Sequence, residues 1–214
     1  KFVRMSLGGV RDEADLRGHR RTYIGAVPGK IVTMLRDSGS FNPVIQLDEG
    51  DKVGLQHGQA DVASALLEIL DPEQNFSFDD HYLEIQTDLS RVLFLVTANL
   101  EETMLPALRD RMHILRLPGY TPQEKLGIAT KHLVPKQKKE CGIPAERDGR
   151  RLDVEFAESA ILNLIHAYTA EAGVRALENR IHGILGKIDK DFLMRRDFGD
   201  AGGVLAITPE NLRK

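Results

Sequence analysis

The chain contains a single cysteine, Cys141, and no tryptophan. One thiol excludes an internal disulfide and any metal site built from several thiolates, and it suits a reducing compartment better than an oxidising one. Aromatic residues are only 6% of the 214, so the core has to be assembled mainly from aliphatic side chains. No apolar run approaches the ~20 residues that a membrane-spanning helix needs. The 7 histidines include no i, i+4 pair with an accompanying glutamate, the helical zinc pattern. With a formal charge of −3 and a pI near 6.2, no global basic field points to nucleic acid. The phosphate-cradling pattern G-x-x-x-x-G-K-[ST] is missing too. There is no signal peptide, repeat or low-complexity tract. The chain opens at Lys1 on a strand-like run, as expected of a piece of something longer.

What remains is 42% hydrophobic and 29% charged, the profile of a soluble globular chain with enough length to bury a core. The first half alternates strand and helix patterns. Phe2 to Leu7 reads as a strand stopped by Gly8-Gly9. Pro28 suits the first turn of a helix with Ile31, Met34 and Leu35 on one face. Val44 to Leu47 reads as the next strand, and Asp61 as the N-cap of a helix with Val62, Ala65, Leu66, Ile69 and Leu70 on one face. Val92 to Val96 is apolar without alternation, as in a central parallel strand covered on both faces. His113 to Leu117 reads as a further short strand. The order implies a parallel α/β sheet.

After Pro118-Gly119 the texture becomes helical. Thr121-Pro122-Gln123-Glu124 has the form of a capping box with proline at N1. Phe156, Ala160, Ile161, Leu164, Ile165 and Tyr168 form one amphipathic stripe, and Val174, Leu177, Ile181, Ile184 and Ile188 another. The charged, Gly/Pro-punctuated Lys138 to Arg151 reads as a loop, and Val204 to Ile207 as a short strand before a helix capped at Thr208. The expected organisation is an α/β subdomain over 1–118 and a mainly helical one over 119–214.

In "FNPVIQLDEGDK" the apolar run Val44-Ile45-Gln46-Leu47 ends in adjacent acids, Asp48 and Glu49. Open parallel sheets bind ligands beyond the carboxyl ends of their strands. One acid there can hold Mg²⁺ through water while the next polarises a water for attack on a phosphate; a strand exiting into a charged turn is the plainer alternative. A second feature is Tyr23-Ile24 in "GHRRTYIGAVPG", flanked by glycines on both sides. Exposed on a loop, the pair is unfavourable unless it grips something; the alternative is that it packs inward. Arg175 sits at the start of a helix pattern, where a cation opposes the macrodipole by roughly 0.3–1 kcal/mol. A phosphate partner would account for it, as would an ion pair with Glu171 or Glu178.

The runs "GGVRDEADLRGHRRTYIGAVPGK", "LLEILDPEQN", "DHYL", "PALRDRM" and "EAGVRALENR", with the acid pair, resemble the AAA+ ATPase module of Lon, the ATP-dependent serine proteases. The resemblance covers essentially the whole chain. It implies an AAA+ large subdomain followed by a helical lid, ATP and Mg²⁺ as cofactors, and unfolding and translocation of protein substrates by a hexameric ring. By it, Asp48 binds the metal and Glu49 is the catalytic base. Asn99 positions the attacking water, as an amide that can both donate and accept. Arg111, rather than neighbouring Arg109, is the arginine finger, and Arg175 contacts nucleotide from the lid. Tyr23 and Ile24 belong to the pore loop that grips substrate, and Val53 to Asp61 to a second pore loop. Arg20 and Arg21 could face substrate, a neighbouring subunit or nucleotide.

The chain departs from the family at Gln46 and Gly50, where apolar residues are usual. A buried glutamine costs roughly 1–3 kcal/mol unless its amide finds partners. The resemblance places the missing phosphate loop upstream of Lys1 and the proteolytic Ser-Lys domain downstream of Lys214, so the chain by itself is expected neither to hydrolyse ATP nor to cut peptides. Two other readings use the same residues: a nucleic-acid remodeller, against which the charge and the Tyr23-Ile24 loop argue, and a ring scaffold with impaired catalysis. DNA binding is not indicated. Bacterial cytoplasm is the expected location, with the mitochondrial matrix as the alternative.

Overall fold

The computed structural model describes residues 1–53, 60–147, 150–194 and 202–213, which fall into two compact units, Lys1–Leu115 and Arg116–Lys214.

The first unit is built on three parallel strands, β1 (Phe2–Ser6), β2 (Val44–Asp48) and β5 (Leu93–Val96), in the order β1-β2-β5. Between them run α1 (Glu13–Arg17), α2 (Lys30–Ser38), α3 (Ala60–Leu70) and a hairpin of β3 (Phe78–Asp80) and β4 (Ile85–Thr87). α4 (Pro106–Arg109) follows β5. Register aligns Val3, Ile45 and Phe94 across the sheet, and then Met5, Leu47 and Val96. These side chains form the core face, where Ile45 and Leu47 are fully buried with Leu16, Ile31, Leu66 and Ile69. Two such side chains on the five-residue β2 contribute about 1.5–3 kcal/mol each. The helices bury most of the residues their spacing predicts: Ile31, Met34 and Leu35 on α2, and Val62, Ala65, Leu66 and Ile69 on α3, while Leu70 is only half-buried against the core.

Several boundaries differ from expectation. Gly29 is the N-cap of α2, leaving Pro28 outside the helix. Asp61 lies within the first turn of α3. β5 is not covered on both faces. It pairs with β2 alone among the described residues, and Leu93 and Leu95 stand exposed on the face opposite the core. Residues 113–117 form no strand, since an extended segment becomes one only beside a hydrogen-bonding partner.

In the second unit Thr121 and Glu124 form the capping box. The Thr121 hydroxyl accepts from Glu124 N–H at 3.3 Å, and the Glu124 carboxylate accepts from Thr121 N–H at 2.8 Å. α5 (Pro122–Ile128) runs through a π-turn, Ala129–Leu133, into α6 (Val134–Glu140). Pro135 explains that turn: it lacks an N–H, and its ring crowds the carbonyl four residues back, so the helix widens. The segment expected to be a loop instead carries β6 (Ala145–Arg147) and the start of β7 (Arg150–Phe156), an antiparallel pair. Phe156 therefore ends a strand rather than joining the helical stripe. α7 (Glu158–Asn163) and α8 (Arg175–Leu193) follow, and β8 (Gly202–Ile207) lies parallel to β7. At the end, Asn211–Arg213 is a short 3₁₀ turn. Leu152, Val154, Ala160, Ile161, Leu177, Ile181, Leu185 and Phe192 pack between this sheet and the helices.

Candidate functional site

β2 is the middle strand, so its carboxyl end opens between those of its neighbours. Asp48, its last residue, has both oxygens engaged. Oδ1 accepts from the Gln46 amide at 2.6 Å and from the Thr97 hydroxyl at 2.8 Å, and Arg4 Nε lies 3.1 Å from Oδ2. The Gln46 bond most strongly, then the Thr97 bond, and also the Arg4 charge hold the Asp48 carboxyl below its ordinary range, against a smaller opposing effect of desolvation. The glutamine thus has its reason. It lies two residues before Asp48 on the face opposite the core, where its amide donates to the carboxylate rather than standing unpaired in apolar surroundings.

Glu49 leaves the strand in the left-handed conformation, with φ 65°. Its carboxylate accepts from the Ser6 hydroxyl at 2.7 Å and pairs with Lys52. The Lys52 hydrogen bond first, then that of Ser6, lower its pKa. Gly8 makes room for it, because a Cβ there would lie 2.3 Å from Glu49 Oε2. Gly50 donates its N–H to the Thr97 carbonyl at 2.9 Å, and a Cβ on it would meet Val96 Cγ1 at 2.5 Å. An aliphatic residue at position 50 would therefore require Val96 to change rotamer. Asn99 lies two residues beyond Thr97 and is exposed. Thr97 is the member that sequence reading missed; its only signal is a hydroxyl residue directly after the β5 run.

Together these groups are two ionised carboxylates, a hydroxyl and an amide at adjoining strand ends. Hard oxygen ligands of this kind fit Mg²⁺, which keeps several waters and takes few protein carboxylates when phosphate oxygens complete its shell. Among the described residues no group of three or more His, Cys, Asp or Glu side chains could hold a metal ion.

Two arginines are further candidates. Arg111 holds Asp71 through Nε and Nη2, both at 3.2 Å, and donates from Nη1 to the Ala107 carbonyl at 3.0 Å. Its guanidinium is thereby fixed while remaining partly exposed. Arg175, in the second unit, is the first residue of α8 and is exposed. The two acids near it in sequence are engaged elsewhere. Glu171 accepts from the Ala176 and Leu177 N–H groups at 2.8 and 2.9 Å, and Glu178 pairs with Lys136 at 2.7 Å.

Tyr23 and Ile24 point outward from the loop between α1 and α2. Tyr23 is 66% exposed and Ile24 fully exposed. Val27 is exposed beside them. Arg21 contacts neither acid of the strand end; its side chain is bonded to the Tyr82 and Leu83 carbonyls of the β3–β4 turn. Of the segment Val53 to Asp61, residues 54–59 lie outside the described residues.

Residues 1–119 match the model of the ATPase family associated with various cellular activities, AAA. Residues 149–198 match the Lon protease AAA+ ATPase lid domain. Among individual proteins, the chain is 53% identical over 192 residues to a Lon protease of Desulfosudis oleivorans, covering 88% of this chain and 23% of that protein. It is 50% identical over 193 residues to Lon protease 1 of Myxococcus xanthus, covering 90% and 23%. It is 48% identical over 214 residues to a Lon protease of Chlamydia muridarum, covering 100% and 25%. The chain thus spans about a quarter of the length of the relatives it matches.

Proposed function

The chain belongs to the AAA family of ATPases, as a Lon-type ATPase module, and from that premise we propose that it is the motor of an ATP-dependent serine protease that unfolds protein substrates and threads them to a peptidase chamber. The observation that supports the reading is that Asp48, Glu49 and Thr97 lie together at the carboxyl ends of adjacent parallel strands, with Asn99 two residues further along the chain from Thr97. Asp48 and Thr97 would hold the hydrated Mg²⁺ of the nucleotide, which neutralises charge on the transferring phosphoryl group. Glu49 takes the proton of the attacking water, and Asn99 orients that water. For this, Glu49 must part from Lys52, since the ion pair lowers its affinity for a proton. Arg111 serves a neighbouring subunit's site, and its bond to Asp71 sets its direction before assembly. Arg175, a cation at the first position of α8, contacts nucleotide. Tyr23 and Ile24 grip the extended substrate in the pore of a ring, which the family implies to be hexameric.

No helix among the described residues is long and apolar enough to cross a membrane. All three relatives compared are bacterial, and bacterial cytoplasm is the location proposed. The test uses the full-length protein and follows phosphate release and degradation of an unfolded protein. Replacing the base should lower ATP turnover about 10²–10⁴-fold in Glu49→Gln, with Mg-ATP binding kept in a titration. Unchanged turnover overturns the assignment of Glu49.

A further inference from the structure

We infer that the β3–β4 hairpin holds the Tyr23-Ile24 loop in position, with the buried carboxylate of Asp80 as the positioning residue; the inference rests on reading that loop as the segment that grips substrate. The loop leaves α1 at Gly18 and re-enters the fold at Gly29, the N-cap of α2. Its two legs lie back to back. A Cβ on Gly29 would be 2.7 Å from the Gly18 nitrogen and 2.0 Å from the Leu16 carbonyl oxygen. His19 N–H donates across the neck to the Val27 carbonyl at 3.1 Å.

The hairpin bonds to both legs. His81 N–H donates to the Arg17 carbonyl at 2.7 Å, and Gly29 N–H donates to Asp80 Oδ2 at 2.8 Å. A third attachment comes from the loop itself. Arg21 Nε bonds the Tyr82 carbonyl, Nη2 reaches the Leu83 carbonyl at 3.1 Å, and the guanidinium lies over the Tyr82 ring, 5.4 Å from its centroid.

Asp80 is fully buried. Its Oδ1 accepts from the Tyr82 and Leu83 N–H groups at 2.9 and 3.0 Å. Those two bonds would suffice for a carboxylate that only shapes the hairpin turn. The bond from Oδ2 to Gly29 does not belong to the turn, and it ties the loop to it. A buried carboxylate is tolerated only while donors surround it, so sliding the loop away from the hairpin leaves Oδ2 without its donor. A pull on Tyr23 or Ile24 is therefore passed to the hairpin and, through fully buried Phe78, into the core of the first unit. The loop stays exposed and keeps a defined position.

Asp80→Asn separates the two roles. The amide oxygen can still serve Tyr82 and Leu83, but an NH₂ group then faces the Gly29 N–H. In the full-length protein this variant should raise KM for an unfolded protein substrate about tenfold or more, as loss of one charge-assisted bond implies, and should speed trypsin cleavage after Arg20. The maximal degradation rate at saturating substrate should fall less than KM rises. Arg21→Ala, which alters only the outer attachment, should shift KM in the same direction by less, and it decides the matter if Asp80→Asn does not fold. Tyr23→Ala is measured alongside. If it leaves degradation intact, the loop is not the gripping segment and the inference falls with that reading. If Tyr23→Ala blocks degradation while KM and loop cleavage stay unchanged in the folded Asp80 and Arg21 variants, the positioning role alone is overturned.

Discussion

Replacing Gly29 by alanine adds one carbon where the two legs of the loop meet. The backbone there, φ −64° and ψ 156°, is open to any residue, so backbone conformation contributes no penalty. Restricting the unfolded chain even favours alanine by about 0.4–1 kcal/mol. The opposing effect is steric. The new carbon would lie 2.0 Å from the Leu16 carbonyl oxygen and 2.7 Å from the Gly18 nitrogen. Both are main-chain atoms that no rotamer change can move aside. Relief requires the end of α1 and the start of α2 to part, and overpacking of this kind costs about 1–3 kcal/mol. The net expectation is a loss of about 1–2 kcal/mol. Urea unfolding should show it as a lower midpoint with an unchanged slope. Gly39→Ala is the control. There a Cβ meets nothing within 4 Å, and only the left-handed φ of 60° opposes it, so the two substitutions test space and conformation separately. A Gly29→Ala protein as stable as the parent would refute the packing of the loop legs described above.

Two further outcomes follow from the charged groups. In Gln46→Leu, Asp48 loses its strongest donor but keeps Thr97 and Arg4, so its depressed pKa should rise toward the ordinary aspartate value, as carbon-detected NMR titration of the carboxyl would show; an unchanged value would mean the Gln46 bond does not form in solution. Glu124 is held below its ordinary pKa, first by the Thr121 N–H and then by the Thr121 hydroxyl, so its contribution to stability is full above the usual glutamate range and lost as pH falls through the lowered folded value. Glu124→Gln should therefore flatten the acid limb of a stability–pH curve, and an unaltered limb would count against the capping box.

Much of the first unit could be read directly because its signals are local. The 3–4 spacing on α2 and α3 and the acid pair after an apolar run each depend on near neighbours in the chain. The glycines around Tyr23 and Ile24 marked a loop but left open whether the pair packs inward, and the structure exposes it. What escaped depends on distant groups. Gln46 looked like a liability until its face of β2 and the carboxylate beside it were known. Asp80 opens the "DHYL" run, but nothing in that run reveals its bond to the Gly29 N–H, far away in sequence. The second unit's sheet was hidden for another reason. Charged residues dominate the approach to β7 and suggest a solvated loop, yet Leu152 and Val154 alternate inward and are buried. β5 was misjudged in the other direction, since an apolar run states what a strand can tolerate on its faces rather than what covers them.

The back-to-back contact of Gly18 and Gly29 also bears on how this protein can change over time. It closes the neck of the loop without using any side chain from the tip. Apart from Arg21 and the backbone turns it shares with its neighbours, the segment from His19 to Pro28 is therefore a detachable cassette. Its length and its apolar residues can be rewritten without repacking the core, so long as the two glycines and the carboxylate beneath them stay. Among descendants of one ancestor, positions 18, 29 and 80 should change together or not at all, while positions 23 and 24 remain free to vary without disturbing the neck.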